Sequence, residues 1–124
     1  MTDALRTIKI ESALANAHKE LRNAEKANTE GNHGKARTCA RRAIGFVVGV
    51  WLEENPDPRY GRSFMNHLRG IIADEKMPEE IKEATRELLK RPQFDEILGD
   101  EAIESANVVI DYFVEKLKSE AENE

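Results

Sequence analysis

Leu14, Ala17, Leu21, Ala24 and Asn28, apolar but for the last, recur at alternating steps of three and four near the start of the chain. The intervening positions are largely polar, with Lys19, Glu20, Arg22, Asn23, Glu25 and Lys26. That is the period of a helix with one buried stripe. It predicts a helix over about residues 3–30, about 40 Å long at ~1.5 Å per residue. Gly31-Asn32-His33-Gly34 then breaks it, the glycines supplying the positive φ that a helix end and a chain reversal need. A second helix is expected over about residues 35–54, with Ala36, Ala40, Ala43, Val47 and Val50 facing inward. From Ala43 onward Ile44, Phe46, Val48, Trp51 and Leu52 make it apolar nearly all round, so its second half should be the most buried part of the fold. Gly45 and Gly49 lie one turn apart inside it, each costing ~1 kcal/mol relative to Ala. Their presence predicts a close approach by a neighbouring helix. The short connection makes the first two helices an antiparallel hairpin.

Asn55-Pro56-Asp57-Pro58 ends the second helix, because proline cannot continue it and restricts the residue before it. A third helix carries Phe64, Leu68, Ile71 and Ile72. It has two alternative starts, Pro58 with Asp57 as cap or Phe64 with Ser63 as cap. A fourth begins at Met77-Pro78-Glu79-Glu80, buries Ile81, Ala84, Leu88 and Leu89, and stops at Arg91-Pro92. The last, over about residues 100–119, uses Ile103, Ala106, Ile110, Phe113 and Leu117, and a frayed acidic tail follows from about 119 to 124. No segment alternates like a strand. The expectation is an all-α bundle of four to five helices, built on a long antiparallel hairpin and forming one domain over residues 1–124.

Composition narrows the class. A chain of 124 residues holds one core. The single cysteine, Cys39, cannot form an internal disulfide, which points to a reducing, cytoplasmic setting. No basic stretch followed by an apolar run opens the chain, and the apolar run at 43–52 is far short of the roughly 20 residues that cross a bilayer. No membrane association is expected. The net charge of −5 is unevenly spread: Gly31 to Ile72 carries seven cations against three anions, a net +4, leaving −9 for the rest. A basic middle between acidic ends suits either a phosphate-bearing ligand or internal pairing with the acidic terminal helices.

One pattern resembles a known family. The long first helix Leu14-x-x-Ala17-x-x-x-Leu21-x-x-Ala24 leads through Gly31-Asn32-His33-Gly34 into Ala36-x-x-x-Ala40-Arg41-Arg42-Ala43 and an aromatic-rich apolar run. A short helix with His67-Leu68 follows, then Met77-Pro78-Glu79-Glu80-Ile81-x-x-Ala84 and a closing amphipathic helix. Over about residues 10–118 this resembles the HEPN superfamily, whose members pair a long helical hairpin with two or three further helices. The resemblance implies a homodimer. It also implies a binding module for RNA, nucleotide or a partner protein such as an antitoxin or nucleotidyltransferase.

Many HEPN proteins are metal-independent ribonucleases of toxin or defence type, marked by an Arg and a His separated by four to six residues. Arg62 and His67 match that spacing. The resemblance implies that His67 acts as general acid–base on the ribose 2′-OH and that Arg62 holds the scissile phosphate. The product would be a 2′,3′-cyclic phosphate. Ser63 directly after the Arg is a polar residue, though not the family's commonest. Positions five apart on a regular helix differ by about 140°, so convergence requires Arg62 to sit in the loop. Packing alone is the competing account of His67, which borders the Phe64, Leu68 and Ile71 stripe.

Arg37 and Arg41, one helical turn apart, together with Arg59, Arg62, Asn66 and Arg69 are the candidate phosphate- or RNA-binding residues. Arg59, Arg62, Asn66 and Arg69 share a face if the third helix starts at Pro58. Ion pairs to Glu20, Glu25 or the last helix are the alternative. Glu30-Gly31-Asn32-His33 has a metal-ligand spacing but occurs once and straddles a glycine break, so no metal and no cofactor is expected. Three functions follow: a HEPN-like binding module, a metal-independent endoribonuclease, or a helical interaction protein without a ligand site. The acidic total offers RNA no net attraction, which ranks binding or interaction above cleavage.

Overall fold

A computed structural model describes residues 3–90 and 99–122. It contains five α-helices and, among the described residues, no strand: α1 Asp3–Thr29, α2 His33–Glu54, α3 Phe64–Ala73, α4 Glu79–Leu89 and α5 Gly99–Glu122. The all-α bundle built on an antiparallel hairpin is the architecture observed. α2 is its centre, packing on α1, α3 and α5, and α4 leans on α5.

The hairpin follows from small residues. Ala13, Ala17, Leu21, Ala24 and Ala27 of α1 are buried, four alanines that let its backbone lie close to α2. Leu14, the first position expected in that stripe, is only half-buried, because the buried face is turned slightly toward Ala13. Gly31 turns the chain with φ +81°, and the Asn32 side chain accepts from the Lys35 N–H at 3.1 Å. This cap starts α2 at His33, two residues before the expected Lys35.

All five inward positions of α2 are buried, as are Ile44, Val48 and Trp51. Trp51 meets Phe113 of α5 edge-on at 5.1 Å, a favourable aromatic geometry. The two glycines of α2 behave differently. A Cβ on Gly45 would stand 2.3 Å from the Phe64 ring, so this glycine admits α3. Gly49 has nothing within 4 Å of that position and faces open space, so the close approach expected there is absent.

Both expected starts of the third helix exist, as separate elements. Asp57 caps a 3-10 turn at Pro58–Tyr60, and Ser63 caps α3 by accepting from the Asn66 N–H at 3.1 Å. Gly61, at φ +56°, breaks the two apart. α4 starts at Glu79 with Pro78 before it, and ends at Leu89. The stop assigned to Arg91-Pro92 lies outside the described residues. α5 runs three residues past the expected Ser119, and only Asn123 and Glu124 of the tail lie outside the described residues.

Buried charge ties the ends together. Arg6 is 8% exposed, forks onto the Glu54 carboxylate at 2.5 and 2.9 Å, and donates to the Leu117 carbonyl at 2.8 Å. One guanidinium thereby joins the start of α1, the end of α2 and the end of α5. No helix among the described residues is long and apolar enough to cross a membrane.

Candidate functional site

The loop between α2 and α3 positions the Arg62–His67 pair, and Tyr60 organises that loop. Its ring is fully buried against α3, at a point where a Cβ on Gly70 would stand 2.6 Å from the Tyr60 Cα. A helix-interior glycine therefore creates the seat for the tyrosine. The Tyr60 hydroxyl donates to Asp74 Oδ2 at 2.6 Å, and the Tyr60 carbonyl accepts from His67 Nδ1 at 2.7 Å. One residue is thus bonded to the first turn of α3 and to its C-cap.

Burial pushes the Tyr60 hydroxyl far up from its ordinary range, and the bond to Asp74 adds to this. Burial alone would raise the Asp74 carboxyl. The Tyr60 hydroxyl, the Lys76 N–H at 3.0 Å and the Arg59 guanidinium outweigh it and hold the group below its ordinary value. Arg59 clamps Asp57 at 2.7 Å and reaches Asp74 at 3.4 Å.

His67 is 7% exposed. A carbonyl oxygen only accepts, so Nδ1 carries a proton, and in the neutral form of the ring the lone pair falls on Nε2. Nε2 has no hydrogen-bond partner among the described residues, and the ring forms part of the wall of an open groove of about 430 Å³. Ala13, Gly45, Phe46, Gly49, Val50 and Phe64 supply most of its apolar lining. Ile8, Ser12, Asn16 and the exposed Lys9–Glu53 pair, 3.2 Å apart, complete it.

Arg62 sits in the loop, as convergence required, yet it does not line this groove. It is exposed and makes no hydrogen bond or ion pair among the described residues. The pair is therefore close in sequence without sharing one cavity. The other expected phosphate ligands are also dispersed. Arg37 donates to the carbonyls of Glu87 (3.0 Å) and Lys90, and Arg41 donates to that of Leu88 (2.7 Å). These two guanidiniums satisfy the C-terminal carbonyls of α4, which no helical N–H can reach. Burial, then the neighbouring Arg37, lowers the Arg41 guanidinium from its ordinary value. Both of these candidate phosphate ligands therefore have partners within the fold, at the end of α4. Arg59 is held by Asp57, and Arg69 donates to Asn66 Oδ1 at 3.2 Å. The Gly61 break removes the single helical face on which Arg59, Arg62, Asn66 and Arg69 were to align.

Sequence reading missed the structural roles of Tyr60, Asp74 and Gly70. Only Gly70, a glycine inside a short apolar helix, left a signal. It also missed the second face of α1, where Leu5 and Ile8 lie three apart and remain 46% and 62% exposed. Among the described residues no group of three or more His, Cys, Asp or Glu is placed to hold a metal ion.

Comparison of the chain with protein-family models, curated proteins and solved structures gives no match.

Proposed function

We propose that this chain is a HEPN-like helical module that acts by binding a protein partner rather than by cutting RNA. The observation that carries this reading is how its surface is divided. Arg37, Arg41 and Arg59 are engaged within the fold, while the open face of α1, α2 and α3 is apolar and bordered by the exposed Ile8. Apolar surface around a recess is what a protein partner covers. RNA binding draws instead on cations free to meet phosphates. A homodimer, an antitoxin-like protein and a nucleotidyltransferase are the partners implied by the HEPN resemblance. The lone Cys39 fits a cytoplasmic setting for any of them.

Titrating single-stranded RNA and free nucleotides from about 50 to 200 mM salt tests the reading. Weak or absent binding with no cleavage is expected. Tight binding that falls steeply with salt overturns it.

One observation favours the metal-independent ribonuclease as a second reading. His67 has a fixed tautomer with an unpartnered Nε2, the arrangement a general base needs. His67→Asn is the discriminating variant, since its side-chain amide keeps a donor for the Tyr60 carbonyl but has nothing at Nε2. Cleavage by the natural chain that disappears in this variant, at unchanged thermal stability, supports the nuclease. No cleavage, or cleavage that the variant leaves intact, removes it.

A further inference from the structure

We propose that the groove between α1, α2 and α3 takes the indole ring of a tryptophan on the protein partner, its ring N–H donating to Nε2 of His67. This deepens the protein-binding reading and rests on it.

The unmatched acceptor is the first argument. The His67 ring is 7% exposed and forms part of the groove wall. Its Nδ1 is committed to the Tyr60 carbonyl at 2.7 Å, which in the neutral ring leaves Nε2 as an acceptor with no partner among the described residues. An acceptor this deep has already lost most of its contact with water. Covering it with a wholly apolar group would remove the rest and return nothing. The occupant that covers this wall therefore brings a donor.

The second argument concerns what carries that donor. Ala13, Phe46, Val50 and Phe64 make the surroundings apolar, and nothing of the chain lies within 4 Å of where a Cβ on Gly49 would stand. Phe46 and Phe64 already meet edge-on at 5.1 Å, an arrangement that a third ring extends favourably. A lysine or arginine would lose hydration against these walls. The carboxylate on the rim, Glu53, is already paired with Lys9 at 3.2 Å. Serine and threonine carry a donor on too small an apolar body for a groove of about 430 Å³. Asparagine and glutamine add a carbonyl, and tyrosine a hydroxyl oxygen, that would need donors of their own. Indole joins a large apolar ring to one donor and no acceptor, the complement of a lone acceptor in an apolar wall. A tryptophan held in such a recess is also a common anchor of protein interfaces.

Magnetic resonance titration of the isotope-labelled full chain tests the inference with two probes. One is N-acetyl-tryptophanamide; the other is its benzothienylalanine counterpart, which keeps the bicyclic shape and lacks the N–H. The tryptophan compound should shift the resonances of Gly45, Gly49 and His67 and bind about tenfold more tightly than its counterpart. In His67→Asn, which keeps a donor for the Tyr60 carbonyl, the two should bind alike. Gly49→Leu, whose side chain enters the open space, should weaken both about tenfold or more. Absence of shifts at these residues with either compound overturns the inference. So does equal binding of the two by the natural chain, or a preference that survives in His67→Asn. The broader reading is judged separately by the RNA titration: a chain that ignores both the probes and RNA ends this proposal alone, whereas steep salt-dependent RNA binding ends the reading beneath it.

Discussion

His67 donates its Nδ1 proton to the carbonyl oxygen of Tyr60 at 2.7 Å, and this bond fastens the loop after α2 to the first turn of α3. The histidine is therefore a structural donor on one edge, whatever its other edge does. His67→Ala leaves the Tyr60 carbonyl without its donor and should cost about 1–3 kcal/mol. His67→Asn, which restores a donor at nearly the same place, should recover much of that loss. Chemical denaturation of the two variants decides it, and equal loss in both would sink the assignment.

Gly70→Ala should destabilise the chain by about 1–3 kcal/mol, the usual range for overpacking. Its new methyl would stand 2.6 Å from the Tyr60 backbone, which is bonded at both ends of α3 and cannot move aside freely. Thermal unfolding measures the effect. A neutral result would mean that the tyrosine does not sit flush on the helix.

The Asp74 carboxyl gives an acid-dependent prediction. Its folded value lies below the ordinary 3.8. The stability it contributes is therefore fully present above about pH 4 and is lost as pH falls through the lower folded value. Tyr60→Phe removes the strongest donor to that carboxylate, so its unfolding free energy should depend less steeply on acid below pH 4 than that of the natural chain. Urea titrations from neutral pH downward check the slope.

Arg41→Ala should loosen the end of α4 rather than abolish binding to an anion. A half-buried charged donor to the Leu88 carbonyl is lost, at about 1.5–3 kcal/mol. Hydrogen exchange should speed up at the last turn of α4 while the start of α1 is unaffected. Protection that stays the same throughout α4 would contradict the capping role.

Gly45→Ala and Gly49→Ala should differ although both glycines lie in one helix. The first methyl meets the Phe64 ring at 2.3 Å and should cost stability. The second meets nothing within 4 Å of its own chain and should add up to about 1 kcal/mol of helix propensity in the dilute monomer. Paired thermal melts distinguish them, and identical shifts would contradict the open space over Gly49.

Much of the fold was legible because helical periodicity is local. The stripe Ala36, Ala40, Ala43, Val47 and Val50 names the buried face of α2 without reference to any other element, and all five are buried. The breaks at Gly31 and at Pro56-Asp57-Pro58 are equally local, since φ preferences belong to the residue itself. Even the two competing starts of the third helix were both written in their caps.

The candidate site was legible only as a set of residue types. A sequence says that Arg37 and Arg41 are basic; only the approach of α4 to α2 gives them carbonyls to cap. Tyr60 and Asp74 stand 14 positions apart with no periodic relation, and their bond exists because Gly70 lets the loop lie on α3. The spacing of Arg62 and His67 fixed how far apart they are along the chain. Whether they share a cavity depended on Gly61 and Tyr60, which turn the histidine inward and leave the arginine outside the groove. Local dihedral and periodicity preferences determined the helices, and the packing of those helices decided which polar groups were left to meet anything else.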